Sequence, residues 1–161
     1  MSRASCLVPR ACAEWNDAMT IVGIGLDLVK IDRIRAIAER WQARFLDRLY
    51  TEAERRYCQA RPAPYASFAG RFAAKEAMLK ALGTGWADGI SWHDIQVLND
   101  RRGRPRATVS GRVHTLMQRA GVTDIHVSLS HDTDYAIAEV VLTKDSGQRI
   151  ASSRQPKRIR S

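Results

Sequence analysis

An α+β fold is predicted by the order in which two hydrophobic periods follow one another along this 161-residue chain. A strand-like apolar run, Ile21-Val22-Gly23-Ile24-Gly25-Leu26-Asp27-Leu28, comes first. Helical stretches then follow one another with no strand between them. The chain closes on two alternating runs joined by Ser130-His131-Asp132-Thr133-Asp134. Regular βαβ alternation would not give this order, whereas mixed helices packed with an antiparallel C-terminal hairpin would.

Each element has its own local reason. The first strand, 21–28, carries a single acid, Asp27, which in a buried strand must face solvent, a partner or a bound cation. Residues 31–43 are amphipathic: Ile31, Ile34, Ile37, Ala38 and Trp41 supply the apolar face, and Arg33, Arg35 and Arg40 decorate the rest. Thr51 and Glu54 have capping-box spacing ahead of a second helix, which runs to Ala60 before Arg61-Pro62-Ala63-Pro64 interrupts it. The longest helix is expected over 65–82, with Phe68, Phe72, Met78, Leu79 and Leu82 inward and Gly83-Thr84-Gly85 as the stop. A strand over 90–98, a polar turn over 99–105, a short strand over 106–109 and a helix over 110–119 come next. Strands over 124–130 and 135–142 complete the hairpin.

The length suits one domain with a real core, and no repeat period is visible. That domain is expected over 20–144. Residues 1–19 read as a flexible leader or upstream extension, with Met19 as a second candidate start. Residues 145–161, with Arg149, Arg154, Lys157, Arg158 and Arg160, read as a flexible basic tail. Lys and Arg number 26 against 17 acids, a net charge of +9 that favours an anionic partner without choosing among nucleic acid, phosphorylated cofactor, acidic protein or membrane surface. Cys6, Cys12 and Cys58 have neither a disulfide-framework count nor metal-ligand spacing, which fits a reducing cytoplasm. The longest apolar stretches fall short of a membrane span.

Chemistry is concentrated in Gly70-Arg71-Phe72-Ala73-Ala74-Lys75-Glu76-Ala77-Met78-Leu79-Lys80. Glu76 and Lys80 share a helix face, and Arg71 and Lys75 add cations to the same turns. Asp27 and Glu76 are two carboxylates available to one metal, and hard carboxylate oxygens suit magnesium. Taken singly, these residues have plainer readings. Glu76 and Lys80 also match a solvated helix pair, Asp132 a turn, Gly83 a helix end, and Arg33 and Arg40 a wet face.

Three phrases taken together, Val22-Gly23-Ile24-Gly25-Leu26-Asp27-Leu28-Val29, the run from Phe72 to Gly83, and Val127-Ser128-Leu129-Ser130-His131-Asp132 through Ala138, closely resemble the holo-[acyl-carrier-protein] synthase branch of the 4'-phosphopantetheinyl transferases. The resemblance spans residues 20–143. It implies that fold, and transfer of 4'-phosphopantetheine from coenzyme A to a serine of apo-acyl-carrier protein with release of adenosine 3',5'-bisphosphate. It makes Asp27 and Glu76 magnesium ligands, Asp132 an accessory metal candidate, and Glu76 and Lys80 the catalytic pair. It places Arg71, Lys75, Gly83 and His131 at the cofactor, with Gly103-Arg104-Pro105 in a loop that shapes the pocket. Arg33 and Arg40 become docking positions for an acidic carrier protein, in a homotrimer whose pockets lie between subunits. For Lys80 an electrostatic role is expected, because a charged lysine beside phosphate needs no pKa shift. The proton acceptor stays open. Two other classes stand beside this reading: a basic nucleic-acid-binding module, for which the core lacks a docking motif or aromatic platform, and an inactive carrier-protein adaptor.

Overall fold

Glycine decides how the first strand packs. In the computed structural model, which describes residues 19–85 and 89–145, β1 spans Met19–Lys30 and α3 spans Pro64–Leu82. A Cβ on Gly25 would collide with the carbonyl oxygen of Ala77, and one on Gly23 with that of Ala81, so only glycine lets strand and helix backbones come this close. Between β1 and α3 lie α1 (Ile31–Leu49) and α2 (Glu52–Gln59). After α3 come a 3-10 turn (Trp92–Asp94), β2 (Ile95–Asn99), β3 (Pro105–Val109), α4 (Gly111–Arg119), β4 (Asp124–His131) and β5 (Tyr135–Asp145). The leader and tail lie outside the described residues except at Met19 and Asp145, which pair with each other at the end of the sheet.

The α+β class holds. β1, β5 and β4 form an antiparallel sheet in that order, and β2 and β3 form a separate hairpin. Ala136, Ala138, Val140 and Leu142 of β5 are buried against α3, whose own Ala69, Ala73, Ala74 and Ala77 are fully buried. Small residues on both sides let the helix sit low on the sheet. The opposite face of β1 is different: Ile24, Leu26 and Leu28 are each more than half exposed.

Three expectations need correction. The strand expected over 90–98 begins only at Ile95, because Ser91 and Asp94 cap a 3-10 turn between them. α1 runs on to Leu49, since nothing breaks it before the Thr51 cap of α2. Trp41, expected on the buried face of α1, is 55% exposed. Ile31, Ile34, Ala38 and Leu49 define the packed arc, and Trp41 stands at its edge, about 20° round the helix axis from Ile34 and two turns further along.

Candidate active site

α3 is the helix against which the sheet, α1 and α2 all pack, so it is buried nearly all round. Between Phe68 and Ala81 only Phe72, Glu76 and Lys80 escape full burial, and they recur at intervals of four residues. That spacing draws one line along the helix. Asp27 follows Gly23 and Gly25 at alternate positions of β1, so it projects toward α3 from the neighbouring strand.

Lys80 Nζ donates to Asp27 Oδ1 at 2.8 Å and to the Leu26 carbonyl oxygen at 3.0 Å. The Glu76 carboxyl is pushed up, first by burial and then by the charge of Asp27, with Lys80 pulling the other way. Two carboxylates, one close enough to raise the other's pKa, beside one ammonium are a donor set suited to a small, oxygen-preferring divalent cation. Among the described residues no third His, Cys, Asp or Glu completes a metal cluster with them. Ligand positions on such a cation would therefore be free for water or for a substrate phosphate.

A second feature opens on another side of α3. A groove of about 530 Å³ is walled by Tyr57, Ser67, Gly70, Arg71, Asn99 and His131, among others. Arg71 is only 3% exposed and, among the described residues, forms no ion pair. Its Nη1 donates to the carbonyl and hydroxyl oxygens of Ser67, and Nη2 donates to Asn99 Oδ1 at 2.9 Å. Its guanidinium lies 4.1 Å from the Tyr57 ring centre, and its buried Nε has no partner. A guanidinium stays charged even when buried, so one held only by neutral groups at a groove wall favours an anion there. Arg71 and Glu76 point about 140° apart round α3, so the two features do not share one opening within a single chain.

Other expected site residues fall into distinct settings. Lys75 is a correction: its ammonium is fully buried, donating to Glu54 Oε2 and to the Leu49 and Trp92 carbonyl oxygens, so its donors are spent inside the core and not on a cofactor. Burial pushes the Lys75 ammonium pKa down, opposed by Glu54. Asp132 caps the hairpin, with Oδ1 accepting from the backbone N–H groups of Asp134 and Tyr135. Those bonds hold its carboxyl below the usual range. Gly83, at φ 69°, ends α3 in the left-handed conformation. His131 is exposed on the groove, as is Gly103. Arg33 and Arg40 stand exposed on α1.

Comparison with known proteins adds an independent line. A family model described as the 4'-phosphopantetheinyl transferase superfamily matches residues 23–153. The chain belongs to that superfamily. It is 48% identical over 118 residues to a holo-[acyl-carrier-protein] synthase of Desulforudis audaxviator, covering 73% of this chain and 89% of that protein. A synthase of the same name from Koribacter versatilis is 44% identical over 122 residues, covering 76% and 98%. The crystal structure of the Neisseria meningitidis holo-[acyl-carrier-protein] synthase superposes with a TM-score of 0.71 at 31% identity, covering 76% of this chain and 98% of that one. The Helicobacter pylori synthase, solved in complex with coenzyme A, superposes at 0.66 with 34% identity over 74% and 98%.

Within this transferase-superfamily chain, sequence reasoning found the Asp27, Glu76 and Lys80 cluster but missed what supports Arg71. Ser67, Tyr57 and Asn99 come from α3, α2 and the end of β2, and nothing in their local sequence marks them as partners. Asn99 also donates through Nδ2 to the Gly103 carbonyl oxygen at 2.7 Å, tying Arg71 to the β2–β3 turn. The one available signal was an Asn opening a polar turn.

Proposed function

We propose that this chain is a holo-[acyl-carrier-protein] synthase: it transfers the 4'-phosphopantetheine moiety of coenzyme A to a serine of apo-acyl-carrier protein and releases adenosine 3',5'-bisphosphate. The observation that carries this reading is the convergence of Asp27, Glu76 and Lys80 where β1 crosses the exposed line of α3. Asp27 and Glu76 would hold magnesium. When bound, that ion supplies positive charge to the diphosphate during phosphoryl transfer. Lys80, half exposed, keeps its ammonium at the carboxylates and can turn to a phosphate oxygen that enters beside them. With its ammonium 2.8 Å from the Asp27 carboxylate, it serves as an electrostatic group and not as the base. Glu76, with its raised pKa, would act as the proton acceptor.

Arg71 and His131 would take the nucleotide end of coenzyme A in the groove. Because the groove and the carboxylate cluster open in different directions, one cosubstrate would span two chains, the groove of one facing the cluster of the next. The exposed apolar face of β1, with Ile24, Leu26 and Leu28, supports such an assembly, which we take to be a homotrimer. Arg33 and Arg40 would steer an acidic carrier protein toward the cluster. We propose that the enzyme works in the cytoplasm, serving fatty-acid synthesis; among the described residues no helix is long and apolar enough to cross a membrane. Intact mass of an apo-carrier protein incubated with coenzyme A, magnesium and the enzyme tests the proposal.

A further inference from the structure

Trp41 stands apart from the other large apolar side chains at the surface. Met19, Ile21, Ile24, Leu26 and Leu28 belong to β1 and Tyr135 opens β5, whereas Trp41 lies alone on α1. A single exposed apolar residue carries no message by itself. Its neighbours do. On helical spacing, Arg33, Ile37, Arg40, Arg44 and Arg48 share the side of α1 that Trp41 occupies, within about 100° of arc.

Among the described residues none of these four arginines is in an ion pair. Arg35, on the other side of the helix, is paired with Asp32 at 3.3 Å. The one acid bordering the stripe, Asp47, is bonded to Arg55 of α2. The stripe therefore keeps its positive charge available over about 22 Å, at 1.5 Å of rise per residue from Arg33 to Arg48. Trp41 lies midway along it, with the Arg40 guanidinium 5.4 Å from its ring centre. That contact pre-positions both groups on the surface.

We infer that Trp41 is the apolar anchor of the carrier-protein docking surface, seating against an apolar side chain set among the acids of a helix of the partner. The inference rests on the proposed transferase reading and deepens it. Exposed charges of opposite sign guide encounter and set register but add little affinity each. Affinity comes from a few buried contacts near the middle of an interface, where Trp and Arg are over-represented. A cationic stripe with an aromatic on its edge, midway along its length, fits an acidic, amphipathic helix. A flat apolar partner would leave four arginines unanswered, and a second copy of this stripe would repel it.

The test uses the full-length enzyme and an acidic apo-carrier protein whose acceptor serine is replaced by alanine, so that binding is read without turnover. Trp41→Ala is expected to weaken carrier binding about tenfold and Trp41→Phe to retain most of it. For Trp41→Ala, the slope of log Kd against log salt should stay at the wild-type value, while Arg40→Ala lowers it. In turnover assays with the intact carrier, KM for the carrier should rise and KM for coenzyme A should not move. Unchanged carrier affinity in Trp41→Ala would overturn the inference. So would a loss of assembly mass, which would assign Trp41 to contact between copies, or an equal loss of RNA oligonucleotide binding. If wild-type enzyme neither binds nor modifies the carrier, the transferase reading itself fails, which is a separate result.

Discussion

The ammonium of Lys80 lies 2.8 Å from Asp27 Oδ1, joining the last turn of α3 to the first strand across more than fifty residues of sequence. The bond has two consequences. It holds Asp27 in place beside Glu76, and it puts a positive charge at an oxygen that a metal ion would use.

Lys80 and a divalent cation should therefore compete for Asp27. Lys80→Met is expected to tighten binding of Mn2+, used as a spectroscopic stand-in for magnesium, by severalfold in the absence of coenzyme A. Asp27→Asn should weaken it strongly. An electron paramagnetic resonance titration reads both. Weaker binding in Lys80→Met would contradict the competition.

Glu76 gives a pH-dependent prediction. Its folded pKa is raised, so as pH climbs from the ordinary carboxylate range the unfolded chain loses this proton first. The folded state is destabilised across that window and stays so above it. Without metal, Glu76→Gln should then be more stable than wild type at neutral pH, by about 1–3 °C in Tm because solvent screens a half-buried group. The gain should vanish below the carboxylate range, and added magnesium should reverse the order by stabilising only the wild type. Thermal melts at two pH values, with and without magnesium, check this.

Lys75 and Glu54 should behave as core residues. Both side chains are fully buried at 2.8 Å, and Glu54 also accepts from Thr51 N and Val97 N. Lys75→Ala leaves a buried carboxylate short of its counter-charge, at about 3–5 kcal/mol. The double replacement Glu54→Leu with Lys75→Met should recover part of that loss. Urea denaturation separates the two. A folded, stable Lys75→Ala that had lost only coenzyme A binding would restore the cofactor role.

Gly25→Ala should disrupt the site through the backbone. Its Cβ would meet the Ala77 carbonyl oxygen, one residue from Glu76, so strand and helix must separate. Transfer should be lost along with several kcal/mol of stability. A Gly70→Ala control, where nothing lies within 4 Å of the added methyl, should fold normally.

Much of this architecture was readable from local patterns. The Thr51–Glu54 capping box, the Gly83 helix end and the terminal hairpin each depend on a few adjacent residues, and the structure has them as expected. Spacing of four also put Glu76 and Lys80 on one line. What failed depended on distant partners. Lys75 looks like its neighbours in sequence, but its ammonium reaches α2, the end of α1 and the 3-10 turn, none of which is local. Trp41 sits within the periodic apolar set of α1, yet among the described residues no element covers it and it is 55% exposed. Periodicity says which residues could be buried; tertiary neighbours decide which are.

The most direct test is the intact mass of purified apo-acyl-carrier protein after incubation with this enzyme, coenzyme A and magnesium. A gain of one phosphopantetheinyl group, absent with a folded and normally assembled Asp27→Asn variant and absent after chelation of the metal, is the expected result. No gain with several verified apo-carrier proteins would contradict the transferase reading, and undiminished transfer by Asp27→Asn would contradict the placement of its metal site.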